Sequence, residues 1–196
     1  RGNPFKYGYI GDTDTHNAAA SNEEVNFTGK FAFENDVKFR MEGAPGQPPA
    51  QHRQIMEFGS GGLAGVWAEK NTRGAIYDAM LRKETFATSG PLMRVRFFAG
   101  WDLGTSDLGA GLAKAGYARG VPMGSDLTGT GKAPTFLVTA MKDPKSGNLD
   151  RVQIVKGWLD ASGKQHEKVY DVAWAGERKP GRDGKLPAVG NSVDLK

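Results

Sequence analysis

One short segment concentrates the residues that could do chemistry. Gly11-Asp12-Thr13-Asp14-Thr15-His16-Asn17 places two carboxylates and an imidazole at alternate positions. Side chains of an extended backbone point alternately to opposite sides, so Asp12, Asp14 and His16 share one side. Carboxylate oxygen with imidazole nitrogen is a donor set used by hard and borderline divalent metals. Asn17, just beyond, could orient one of those ligands. The same residues also make an ordinary polar turn, because Asp, Thr and Asn side chains bond readily to nearby backbone. A calcium loop shares the Asp-x-Asp spacing, but its third alternate position here is His16, which calcium does not favour over oxygen. A four-coordinate site at this loop needs further ligands from elsewhere.

The remaining chemistry-bearing residues are less organised. His52 sits in a Pro- and Gln-containing loop and His166 in an expected hairpin turn. Neither has an acidic or His neighbour at ligand spacing, so both read as surface residues. The stretch Gly124 to Lys132 suggests a phosphate loop but lacks its pattern. Asp126 stands where the first Gly is required, and Ala133 where Ser or Thr is required. No Gly-x-Ser-x-Gly nucleophile motif occurs, and Ser60 in Gly59-Ser60-Gly61-Gly62 comes closest without the spacing. The chain has no Cys, which excludes disulfides and thiolate metal sites.

The elements that must position these residues are short. The 28 Gly and 10 Pro imply many turns and argue against a helical bundle. Residues 5–10 alternate aromatic with small or polar residues and read as a strand leading into the Asp12–His16 loop. A second aromatic alternation, Phe27, Phe31, Phe33 and Phe39, follows without a clear state. Residues 71–83 form the clearest helix, capped by Asn71 or Thr72, with Ala75, Ile76, Ala79 and Met80 on one face and Arg82 and Lys83 in the last turn. Residues 85–88 read as extended, and Gly90-Pro91 as a break. Strands are expected over 93–101, 134–141 and 152–159, and over 168–174, which would pair with 152–159 across Ala161-Ser162-Gly163-Lys164. Residues 108–117 suggest a helix interrupted by Gly, and the tail from Gly176 reads as surface. The chain is therefore expected to be α+β, mixed over residues 1–90 and mostly β, sandwich-like, over 91–196.

With 196 residues the chain fits one domain, or one domain and part of another. A net charge of +4 from 26 basic and 22 acidic residues is small and scattered, which argues against nucleic acid as a partner. No apolar run approaches the ~20 residues of a membrane span. The chain starts Arg1-Gly2-Asn3-Pro4 with no initiator Met, so an internal piece of a longer protein is expected.

Several stretches, in order, resemble the bacterial family catalogued as domain of unknown function 3604. They include residues 5–11 and Asp14-Thr15-His16-Asn17, then residues 62–69 with Asn71-Thr72-Arg73, residues 82–91, and residues 94–101. Gly120-Val121-Pro122-Met123-Gly124, Lys142-Asp143-Pro144, residues 148–151 and Lys156-Gly157-Trp158 complete the set. That family is similar to the polymerase-and-histidinol-phosphatase (PHP) metallohydrolases, whose distorted (β/α) barrel holds up to three divalent metals. The resemblance implies that residues 1–90 close such a barrel and that 91–196 form a β-rich C-terminal region. It matches Asp14 and His16 to the Asp and His of a late Gly-Ser-Asp-x-His metal motif. Asp12 stands where that motif has Ser or another small residue, which makes it the weaker ligand of the three. The implied cofactor is a divalent metal, manganese or zinc. The implied activity is hydrolysis of phosphate or sulfate esters by metal-activated water, acting on a small-molecule ester.

Arg73 and Arg82 are candidates to bind the ester's anion, since guanidinium matches an oxyanion bidentately. They could equally be surface charges, and Glu69 and Glu84 read as salt-bridge partners. The family's early His-x-His motif is missing here. The ligand set therefore implies an upstream part of the same protein as partner, and a chain that by itself is inactive or nearly so. A bacterial periplasm or secretion fits this assignment. The alternative is a noncatalytic β-rich module that binds glycan or is stabilised by calcium, with Trp101, Trp158, Tyr170 and Trp174 as stacking residues. Aromatics of this size more often fill a core.

Overall fold

A computed structural model describes residues 6–16, 36–38 and 61–187. Phe5, Asn17, all four aromatics of the second alternation (Phe27, Phe31, Phe33 and Phe39), His52 and Ser60 lie outside the described residues. In chain order the elements are β1 (Leu63–Val66), α1 (Arg73–Leu81), β2 (Thr85–Thr88) and β3 (Arg94–Gly100), then α2 (Leu112–Arg119), β4 (Gly120–Pro122), β5 (Thr135–Met141), β6 (Arg151–Leu159) and β7 (Gln165–Trp174). The fold is α+β and mostly β, as the turn-rich composition implies. The strands form three small sheets, ordered β1-β2, β4-β3-β5 and β6-β7. Among the described residues no barrel closes, and no helix is long and apolar enough to cross a membrane.

The described residues group into two compact units, one running Lys6–Thr139 and the other from Ala140 onward. Gly90 falls inside the first unit, in the link between β2 and β3. Contacts cross that link: the Trp67 indole donates to the Val95 carbonyl (2.8 Å), and the Arg96 guanidinium lies over the Trp67 ring.

In the first unit, β1 and β2 pair antiparallel from Leu63↔Thr88 to Val66↔Thr85. The Phe86 ring lies over Gly65, where a Cβ would collide with it. Helix α1 is shorter than expected. Thr72 caps it by accepting from the Ala75 N–H (3.4 Å), and it ends at Leu81. Arg82 is the C-cap and Lys83 turns left-handed (φ 59°), so neither sits in the last turn. Of the expected apolar face only Ala79 is fully buried, and Met80 is exposed. The Gly124 turn (φ 83°) packs against the backbone of Lys83, where a side chain would not fit.

Strand β3 organises the unit. Its neighbours β4 and β5 flank it, and it pairs antiparallel with β4 from Phe98↔Pro122 to Gly100↔Gly120. Phe98 is fully buried and forms the core with Leu103, Leu112 and Leu137. Helix α2 comes close enough to cover Phe98 only because residue 116 is glycine, since a Cβ there would enter the Phe98 ring. Before α2, the Asp107 carboxylate accepts from the Gly104 N–H (2.9 Å) and pairs with Arg119, and both lower its pKa, the backbone bond most.

In the second unit, β6 and β7 form the expected hairpin, in register from Leu159↔Gln165 to Arg151↔Trp174 with a bulge at Val152/Gln153. The Asp160 carboxylate closes the turn. It accepts from the Ser162 hydroxyl (2.6 Å), the Ser162 N–H (2.9 Å), the Lys164 N–H (3.0 Å) and His166 Nε2 (2.8 Å), while Gly163 takes φ 83°. Lys156 and Lys168 face each other across the ladder, a repulsive placement for like charges. Each instead leans over an aromatic ring of its own strand, Lys156 on Trp158 and Lys168 on Tyr170. The segment after Gly176, expected to be plain surface, folds back. Arg178 donates to the Asp150 carboxylate (2.5 Å) and to the Asp150 (2.7 Å) and Pro187 (2.8 Å) carbonyls, and Leu186 is buried.

Two predictions follow from these contacts. Alanine at position 116 would favour a helix by about 0.5–1 kcal/mol, but overpacking against Phe98 should cost about 1–3 kcal/mol. Gly116→Ala is therefore expected to be net destabilised in chemical denaturation, and a variant more stable than wild type would refute the packing. The second concerns acid. Hydrogen bonds from Ser162, then His166 and Lys164, hold the Asp160 pKa down to about 2. A folded pKa below the unfolded one gives stability that is present above about pH 4 and lost as pH falls toward about 2. The stability gap between wild type and Asp160→Asn should narrow over that window, and a gap independent of pH would exclude the effect.

Candidate functional site

The Asp12–His16 loop enters from a segment that runs against the β1–β2 pair. Glycines permit this approach. A Cβ at Gly11 would lie 2.8 Å from the carbonyl oxygens of Leu63 and Thr88, and one at Gly61 would lie 2.5 Å from Thr13 Cα. The Gly62 N–H donates to the Asp12 carbonyl (2.7 Å). Residues 6–10 are not part of a sheet, in contrast to the strand their alternation predicts. Tyr7, Tyr9 and Ile10 are exposed, so the alternation does not mark a buried face here. Lys6 is tied instead to the Asp126 carboxylate, whose pKa this pairing lowers.

Within the loop, burial alternates. Asp12, Asp14 and His16 are exposed, and Thr13 and Thr15 are half-buried. The two threonine hydroxyls bond each other (3.0 Å), and the Asp12 carboxylate accepts from the Thr13 N–H (2.7 Å). The backbone is not uniformly extended, because Asp14 is left-handed (φ 53°). His16 Nδ1 lies 2.9 Å from the Asp14 carbonyl oxygen and 3.7 Å from its carboxylate. The donor types suit a divalent metal, and Nε2 is the ring nitrogen turned away from that carbonyl. Among the described residues, however, no three His, Asp or Glu side chains converge as a metal group.

A second environment lies between the helix end and β3. Alternation along β3 gives its two sides different tasks. Phe97 and Ala99 line a cleft of about 450 Å³ with Tyr7, Tyr9, Trp101 and Phe136. Arg96 lines another, of about 620 Å³, with Trp67, Glu69, Arg82, Glu84 and Tyr117. Glu84 is only 2% exposed. The Tyr117 hydroxyl donates to one of its oxygens, and Arg82 lies 3.6 Å from the other. Desolvation, followed by the bond to Glu84, pushes the Tyr117 phenol up to about 12, so it stays a donor across ordinary pH.

Of the two arginines expected to hold an anion, Arg82 lines this cleft. Arg73 opens α1, is exposed and is not among the lining residues. Sequence reasoning passed over Arg96 and Tyr117. The available signal was Arg96 two residues before Phe98 on one strand, which puts a cation on the side of the core aromatic. His166, read as an isolated surface residue, pairs with Asp160 across the hairpin turn.

A family model described as "Protein of unknown function (DUF3604)" matches residues 1–196. The chain belongs to the DUF3604 family. No curated protein and no solved structure matches it.

Removing the Tyr117 hydroxyl should leave one oxygen of the buried Glu84 carboxylate without its donor. Tyr117→Phe is expected to lose about 1–3 kcal/mol of stability. Wild-type stability by denaturant titration would show that Glu84 does not depend on it.

Proposed function

We propose that this DUF3604 chain belongs to a metal-dependent hydrolase related to the PHP group, acting on phosphate or sulfate esters of small molecules. The observation that supports the reading most is the loop itself. Asp12, Asp14 and His16 lie on its exposed side, while paired threonine hydroxyls face inward and a backbone bond to Gly62 holds its start. Asp14 and His16 are the main ligands in this proposal, and Asp12 is the weakest. Other ligands come from elsewhere in the same protein. Manganese or zinc fits the carboxylate and imidazole donors, and a bound metal of this kind lowers the pKa of its water and polarises the ester oxygen. Arg82, and less directly Arg73, would receive the ester's anion.

The runner-up is a noncatalytic glycan-binding module. It draws on the exposure of Trp158, Tyr170 and Trp174, which a core-packing reading would bury. The ring faces it needs are partly taken, however. Lys156 and His166 both lie against Trp158, and Lys168 lies over Tyr170.

The test is metal analysis combined with hydrolysis of p-nitrophenyl phosphate and p-nitrophenyl sulfate by the full-length protein supplied with manganese or zinc. Asp14→Ala and His16→Ala should each lower bound metal and turnover together, and the 196-residue chain alone should turn over little or nothing. Unchanged metal stoichiometry in both variants would remove the proposal's basis.

A further inference from the structure

The Arg96 guanidinium packs against aromatic rings rather than a carboxylate. Its plane lies over the Trp67 ring, 3.8 Å from the centroid, with Phe98 and Tyr117 also within cation–π reach. Its Nε is buried, and no described residue accepts a hydrogen bond from it. A buried donor without an acceptor is costly and calls for an explanation. Stacking uses the face of the guanidinium and Nε is closed to solvent, which leaves the terminal N–H pair as the fork that can bind an oxyanion bidentately.

The surrounding charges do not satisfy that fork. Glu84 is held by Tyr117 and Arg82, so its carboxylate is balanced without Arg96. Glu69 is the other carboxylate lining the cleft. Ser125 lines the same space, and the neighbouring cleft as well. A cleft of about 620 Å³ is large enough to admit a small anion or the anionic end of a larger molecule.

We infer that this cleft is an oxyanion subsite in which the Arg96 fork holds a phosphate or sulfate group, with Arg82 and Ser125 beside it. A free inorganic ion and an ester present the same tetrahedral oxygens to this fork. Asp12, Asp14 and His16 do not line the cleft, so the inference does not rest on the metal reading.

The experiment is a calorimetric and thermal-shift titration of the 196-residue chain with inorganic phosphate, inorganic sulfate and p-nitrophenyl phosphate. It is run with EDTA present and at ionic strength matched with chloride, so that failure of metal binding cannot affect the result. Saturable binding is expected, weakened roughly tenfold or more in Arg96→Gln and retained in Arg73→Gln. Tighter binding of the inorganic ions would identify a free-anion site, and equal or tighter binding of the monoester an ester site. If Arg96→Gln does not fold, Glu69→Gln decides. Removing that like charge should tighten phosphate binding severalfold, and unchanged or weaker binding would overturn the assignment. No saturable response to any of the three ligands, or full binding by a folded Arg96→Gln, would also overturn it, leaving a solvent-filled cleft.

Discussion

The larger unit depends on the contact between Phe98 and Gly116. A fully buried ring needs a covering element, and α2 can cover it only where residue 116 contributes no side-chain atom. With Phe98 fixed inward, the twofold period of β3 assigns every neighbour. Arg96 comes to the same side as Phe98, under Trp67 and Tyr117. Phe97 and Ala99 go to the opposite side, with Trp101 and Phe136. A one-residue slip would exchange the two linings and take the Arg96 guanidinium off the Trp67 ring.

The paired carboxylates follow one pattern in each unit. Carboxylates that order the backbone or the core are each given more than one donor, and of these Glu84 is the buried one. Glu84 has a phenol and a guanidinium, Asp107 a backbone N–H and Arg119, and Asp150 has Arg151 and Arg178. At Glu84 each carboxylate oxygen has its own partner, so losing one donor leaves that oxygen unpaired. Arg96 departs from this pattern, which is why it stands out physically although it looks ordinary in sequence.

Much of the secondary structure was legible in local pattern. The hairpin of β6 and β7, strands β3 and β5, and helix α1 all follow from alternation, helical spacing and turn chemistry within short windows. The misreadings arose where distant backbone decided the outcome. Residues 6–10 alternate like a strand, but glycines at 8 and 11 press them against residues 83–88, and they join no sheet. Arg82 and Lys83 read as a helix's last turn, but the Gly124 turn occupies the space beside them, and the helix stops at Leu81. The tail after Gly176 reads as surface because nothing local indicates that Arg178 returns to Asp150. At the candidate site, the alternating exposure of residues 12–16 follows the pattern of an extended backbone, but the left-handed turn at Asp14 was not legible, and among the described residues no three ligand side chains converge. The cleft of Arg96 and Tyr117 was not legible either, since it joins residues that follow β1 and α1 to residues of β3, α2 and β4 that no spacing rule connects.

The β6–β7 ribbon also has a consequence in time. Its pairs begin next to a turn closed by Asp160, so every ladder contact grows outward from a nearby one. Hairpins of this kind form in about 1–10 μs. The sheet of β4, β3 and β5 has to bring Thr135–Met141 back beside Arg94–Gly100, a longer loop whose closure must be met before its contacts stabilise anything. The ribbon is therefore expected to be assembled while Phe98 is still exposed to solvent. A two-stranded ribbon is only marginally stable alone, so its early formation is reversible, and Arg178 on Asp150 is one of the contacts that secures it afterwards.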